Sequence, residues 1–220
     1  MNWVKILLLL LVASCFGCIK DDFIDDSQKE ELRLTSMVDS IEVGTTFQME
    51  ALFINNIGKA QNVGLNWSSS NTDVLSIDQN GLATANMLGR VTIYVSYNNL
   101  ISEIQVSVGN STVLTPMEKS GLVATTSSYA LSGKFKLKED GNGLVLEFFD
   151  DYNASTALPQ LVIYLSNNPN SNGNALEIGD VSIFNGAHSY MIPNVGINDY
   201  KYVLYYCKPF AVKVGHGEIL

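Results

Sequence analysis

The sequence predicts an all-β protein made of two consecutive β-sandwich domains behind an apolar leader and an acidic tether. Three observations predict it. From Leu32 onward no stretch keeps a helical hydrophobic period, short alternating apolar runs recur instead, and Gly, Asn, Asp and Ser punctuate them. The 220 residues are 46% hydrophobic, 16% charged and 10% aromatic, with 17 Gly and 5 Pro, which rules out a disordered or collagen-like chain and suits two small cores. Lys plus Arg total 13 against 22 Asp plus Glu, a net charge of −9, so there is no basic footprint for phosphates and nucleic acid is not an expected partner.

Residues 1–17 read as a cleaved leader. One positive charge, Lys5, precedes the unbroken apolar run Ile6–Ala13, and small residues then lead into Cys15 and Cys18, the order of a secretory signal. The run falls short of the roughly 18 residues that span a bilayer. The stretch resembles the lipobox of bacterial lipoproteins, whose cysteine is diacylated and becomes the mature N-terminus. Val12-Ala13-Ser14-Cys15 fits that pattern on its small residues, whereas Cys15-Phe16-Gly17-Cys18 carries a bulky Phe16. What favours Cys18 is Ile19-Lys20-Asp21-Asp22, which resembles the lysine-plus-acid tag that sends some Gram-negative lipoproteins to the cell surface. Cys18 is the expected lipidated residue and Cys15 the alternative. The membrane is then a partner through the lipid anchor, on the outer membrane with a surface-exposed body.

Residues 18–32 form the tether. Loss of the leader removes Lys5 and leaves 12 basic against 22 acidic residues, net −10. Asp21, Asp22, Asp25, Asp26, Glu30 and Glu31 crowd behind the anchor, and anionic head groups repel such a cluster. With Cys18 taken by the lipid, Cys207 is the only other cysteine outside the leader, so no intramolecular disulfide is expected to frame the mature fold.

The first domain is expected over residues 33–109. Candidate strands are Arg33–Thr35, Phe47–Phe53, Gly64–Ser68, Leu75–Ile77, Leu82–Ala85, Gly89–Tyr97 and Glu103–Val108, with Asp78-Gln79-Asn80-Gly81 as a tight turn. So many short strands in so few residues suit an Ig-like sandwich. Ile41-Glu42-Val43-Gly44-Thr45-Thr46-Phe47, Leu65-Asn66-Trp67-Ser68-Ser69-Ser70-Asn71, Ile77–Ala85 and Gly89-Arg90-Val91-Thr92-Ile93, in that order, resemble the bacterial Ig-like domain family, group two. The resemblance implies a spacer or adhesion module with Trp67 in its core and no catalytic residues.

A polar linker is expected at residues 110–116, and a second domain at residues 117–220. Its candidate strands are Leu122–Ala124, Leu131–Leu137, Leu144–Phe149, Leu161–Ser166, Val181–Phe184, His188–Ile192, Tyr202–Cys207 and Ala211–Val214, and the Asn-rich loop Asn167–Asn174 is not an element. Leu131-Ser132-Gly133-Lys134-Phe135, Leu146–Tyr152, Leu158–Ser166, Gly186–Pro193 and Tyr200–Gly215 resemble the DM-thirteen domain, a β-sandwich module. That family is proposed to take part in electron transfer through the cysteine before its last strand, which is Cys207 here.

The residues themselves specify no reaction. A lone strand cysteine is usually a small buried hydrophobe; a redox role for Cys207 would need a metal, a haem-bearing partner or an intermolecular thiol. His188, His216 and Cys207 are weak metal candidates, because none has ligand spacing in sequence. No cofactor and no catalytic residue is expected. Tyr200–Tyr206 suggests a sugar-stacking platform, although strand aromatics more often fill a core. The expectation is a monomeric, non-enzymatic envelope module that binds an unknown protein or glycan, with electron transfer through Cys207 as the alternative.

Overall fold

The computed structural model describes residues 27–115, 118–141 and 143–220; the leader, Cys15, Cys18, most of the tether and Asn142 lie outside the described residues. The first domain contains β1 (Glu31–Leu34), β2 (Val38–Glu42), β3 (Thr46–Gln48), β4 (Ala51–Ile54), β5 (Ala60–Gln61), β6 (Asn66–Ser69), β7 (Leu75–Ile77), β8 (Leu82–Ala85), β9 (Gly89–Tyr97), β10 (Leu100–Gly109) and β11 (Val113–Leu114). They pair in the orders β1-β4-β5, β11-β2-β10-β9-β6 and β3-β8-β7. β2 runs parallel to β10.

Strict alternation builds this sandwich. β9 turns Val91, Ile93 and Val95 inward and leaves Thr92 and Tyr94 half-buried. Trp67 on β6 is 6% exposed and shares the core with Ile41, Met49, Phe53, Leu75 and Ile93, the structural place the resemblance implies for it. At the turn between β7 and β8 the Asp78 carboxylate accepts from the Asn80 and Leu82 amides at 2.8 and 2.9 Å. Gly81 there has φ +82°, and a Cβ on it would lie 2.6 Å from the Met49 carbonyl oxygen.

Several boundaries differ from expectation. The single strand expected at Phe47–Phe53 is two, β3 and β4, which pair with β8 and β1 respectively. Between them the Met49 amide donates to Gly81 and the Glu50 carbonyl accepts from Thr35, so the chain changes sheets there. β2 escapes the alternation pattern because its pairing with β11 shifts register across Asp39, which lets Val38 and Ile41 both be buried. β1 begins at Glu31, inside the expected tether, and β11 lies inside the expected linker, so the first domain is longer at both ends.

The second domain contains β12 (Glu118–Thr125), β13 (Leu131–Asp140), β14 (Gly143–Phe148), β15 (Asn153–Ala154), β16 (Leu161–Ser166), β17 (Leu176–Asp180), β18 (His188–Pro193), β19 (Tyr202–Cys207) and β20 (Val212–Glu218). All belong to one antiparallel sheet of order β17-β16-β19-β20-β12-β13-β14-β18, with β15 also paired to β13. The sheet rolls over on itself, because Leu137 and Leu146 from one half share a core with Ile163 and Tyr205 from the other. Phe148 and Tyr205 bridge the halves with ring centroids 6.4 Å apart.

The expected strand Val181–Phe184 is instead a crossing segment, and the strand is β17 just before it. Leu176–Asp180 lies at the sheet edge with much of its surface exposed, so it lacks the apolar signal of a buried strand. Val181 and Phe184 are held by single bonds to Leu161 and Ala154.

Glycines at the crossing of β12 and β20 make the roll. A Cβ on Gly215 would stand 2.2 Å from the Ala124 carbonyl oxygen, and one on Gly121 would stand 2.2 Å from that of Glu218. Gly215→Val is expected to cost at least the about 1–3 kcal/mol of overpacking and to lower Tm by calorimetry, whereas Gly64→Ala, with open space around it, leaves Tm within about a degree.

Candidate functional site

Cys207 ends β19, is 0% exposed and carries a free thiol. It packs in the main core with Val203 and Tyr205, on the face that alternation assigns to it. His216 on β20 sits opposite Leu204, which turns the other way into a small second core with Val162, Tyr164 and Tyr206. Cys207 and His216 therefore serve opposite faces of one sheet. Burial, aided by the Lys213 charge and opposed by Glu218, pushes the His216 imidazole below its ordinary range.

His188 lies at the far edge, on β18. Its Nδ1 is 2.9 Å from the Gly186 carbonyl oxygen and its ring stacks on Phe148 at 5.0 Å. Among the described residues no three His, Cys, Asp or Glu side chains gather as a metal site.

Tyr205 and Tyr206 of β19 fill cores. Tyr205 is fully buried beside Tyr152; burial raises both phenols above their ordinary range, and the neighbour adds to this at Tyr205 while partly opposing it at Tyr152. Tyr206 donates to the Asn170 carbonyl at 2.6 Å, which folds the Asn-rich loop over the second core. Tyr202, which opens the strand, and Tyr200 just ahead of it are half-buried at a surface.

That surface adjoins the seam between the domains, where side chains missed by sequence reasoning are concentrated. Arg33 on β1 places Nε and Nη2 on the Glu31 carboxylate at 2.9 and 3.0 Å. Its Nη1 reaches into the second domain, to Asn167 Oδ1 at 3.2 Å and the Asn198 carbonyl at 2.9 Å. Asn198 donates back to the Thr35 carbonyl at 3.2 Å, and Asn174 donates to that of Ile57 at 3.3 Å. The buried polar residues Ser166, Asn167, Asn168 and Asn198 all belong to the segments that meet here. Periodicity could not find them, since the signal is a run of asparagines that reads as solvent-facing.

Beside the seam opens a cleft of about 450 Å³. Leu52, Gly58 and Ala60 form the wall from the first domain, and Asn174, Asn194, Asp199 and Tyr200 stand opposite. Its size and its place between domains are those of a ligand site.

Burial alone would raise the Glu31 carboxyl; the hydrogen bond and charge of Arg33 outweigh it and hold the group below its ordinary value. A depressed carboxylate contributes stability that is present above its unfolded pKa and is lost as pH falls through the folded one. The seam is thus expected to loosen below about pH 4, read as an increased radius of gyration by small-angle scattering. Arg33→Ala, which removes bonds of about 1.5–3 kcal/mol each to a charged donor, is expected to do the same at pH 7 and to speed proteolysis near residues 115–118.

The family model of the bacterial Ig-like domain (group 2) matches residues 30–115. No curated protein matches the chain. Among solved structures, domains 5-6 of the S-layer protein SbsC align over 88% of this chain and 96% of that one, at 11% identity and a TM-score of 0.32. The longer S-layer chain rSbsC(31-844) is covered over 40% of its length, at 10% identity and a TM-score of 0.31. Extracellular domains 3-5 of Drosophila OTK align over 86% of this chain and 61% of that one, at 14% identity and a TM-score of 0.24. The family match coincides with the sandwich of β1–β11 around Trp67: the chain carries a bacterial Ig-like domain of group 2 over residues 30–115.

Proposed function

We propose that the protein is an envelope lipoprotein, lipidated at Cys18, whose Ig-like domain is a spacer that presents the C-terminal domain at the cell surface as a non-enzymatic binding or structural module. The leader, the lipobox-like cysteines and the acidic tether support the anchor and its direction. The observation that carries the presenting role is the seam. Arg33, Asn167, Asn174 and Asn198 tie the second domain to the spacer at several points, so the spacer sets the direction in which the second domain faces. Residues 117–220 keep their resemblance to the DM-thirteen domain as the reading of that half.

The electron-transfer alternative through Cys207 asks for a thiol that solvent or a partner can reach. Its complete burial, with no second cysteine among the described residues, favours the binding module.

Cells expressing the protein and fed an alkyne fatty acid are expected to label it; Cys18→Ala abolishes the label and Cys15→Ala retains it. Protease added to intact cells is expected to remove the labelled protein's body. A label that follows Cys15, or a body protected in intact cells, overturns the corresponding part of the reading. Cys207 is expected to react with a chromophoric thiol reagent only after denaturation, and a fast native reaction or a stoichiometric metal would favour electron transfer.

A further inference from the structure

We propose that the cleft between the two domains binds a neutral saccharide, a ligand class that rests on reading the protein as a non-enzymatic binding module. The lining argues for it by chemistry. No Lys, Arg or His is among the cleft residues, so an anionic ligand finds no countercharge. Asn194 and Asn174 offer amide groups, which both donate and accept, as a polyol requires. The Asn174 amide nitrogen gives one of its two hydrogens to the Ile57 carbonyl, which holds the side chain at the cleft wall.

Asp199 contributes a carboxylate whose Oδ2 already accepts from the Gly196 amide at 2.7 Å. That bond fixes the side chain and leaves Oδ1 for a sugar hydroxyl. Tyr200 supplies a half-buried ring with an apolar face and a hydroxyl; burial and the neighbouring Asp199 charge raise its phenol, which stays a donor at neutral pH. Leu52, Ala60 and Leu176 give the apolar remainder of the walls. An aromatic ring, amides, one held carboxylate and apolar walls in about 450 Å³ form a site for one or two neutral sugar rings. Tyr205 and Tyr206 are buried in cores, whereas Tyr200 packs in part against the main core and lines the cleft with the rest of its surface.

The test is saturation-transfer NMR on the full-length protein in a sugar-free detergent, with cellobiose, mannobiose, xylobiose and di-N-acetylchitobiose as probes at millimolar concentration. At least one probe is expected to show transfer. Tyr200→Ala is expected to weaken it at least tenfold and Asn194→Gly, which suits the φ of +58° there, severalfold, both with a cooperative thermal transition retained. Absence of transfer from every probe overturns the inference, as does binding that survives both substitutions. A lysine-containing tripeptide that binds in place of the sugars and is lost with Asp199→Asn also overturns it, in favour of a basic peptide. Fatty-acid labelling at Cys18 is read in parallel: if the label persists and no sugar binds, only the saccharide fails, and if a sugar binds without the label, the site stands and the anchor falls.

Discussion

The way the second domain is tied to the Ig-like domain depends on the fork of Arg33. A guanidinium offers donors in a fixed plane, and Glu31, two residues away on the same strand, takes two of its nitrogens and so fixes that plane. The remaining nitrogen then points across the seam, where it meets an asparagine side chain and a backbone carbonyl at once. Apolar faces of this size can slide over one another at little cost, whereas a directional set of donors and acceptors has one register. With Asn198 returning a bond to Thr35 and Asn174 one to Ile57, contacts at both sides of the seam resist rotation as well as separation.

The sequence revealed the parts of the fold that repeat with period two and hid the parts that break it. β9 and β19 were legible because Val91, Ile93 and Val95, or Val203, Tyr205 and Cys207, alternate without interruption. β2 was not, since the register shift at Asp39 destroys the period, and β17 was not, since an edge strand with exposed Glu177 and Asp180 has little apolar content. The split of β3 from β4 is set by hydrogen bonds to Gly81 and Thr35, distant in sequence, and no local pattern encodes those.

The candidate site was less legible than the fold for a related reason. Asn167–Asn174 reads as a turn-rich loop, and it is one; its asparagines nevertheless take buried positions because another domain supplies their partners. The tyrosine run was legible in its alternation only. β19 is covered on both faces, by the main core and by the Asn170 loop, so its two-faced apolar content fits a central strand and not a stacking platform. The same double cover removes Cys207 from solvent and separates it from His216 by the thickness of the sheet.

Placing a cleft at a seam has a thermodynamic consequence for the spacer. Walls drawn from both domains mean that a ligand touching both binds the docked arrangement better than the separated one, and therefore stabilises docking by as much as docking improves its affinity. A spacer joined by a loose linker would lose that coupling, since only a fraction of the population would hold the two walls together and apparent affinity would fall by that fraction. The Arg33 fork favours the docked arrangement before any ligand arrives. The Ig-like domain is in this sense one wall of the cleft.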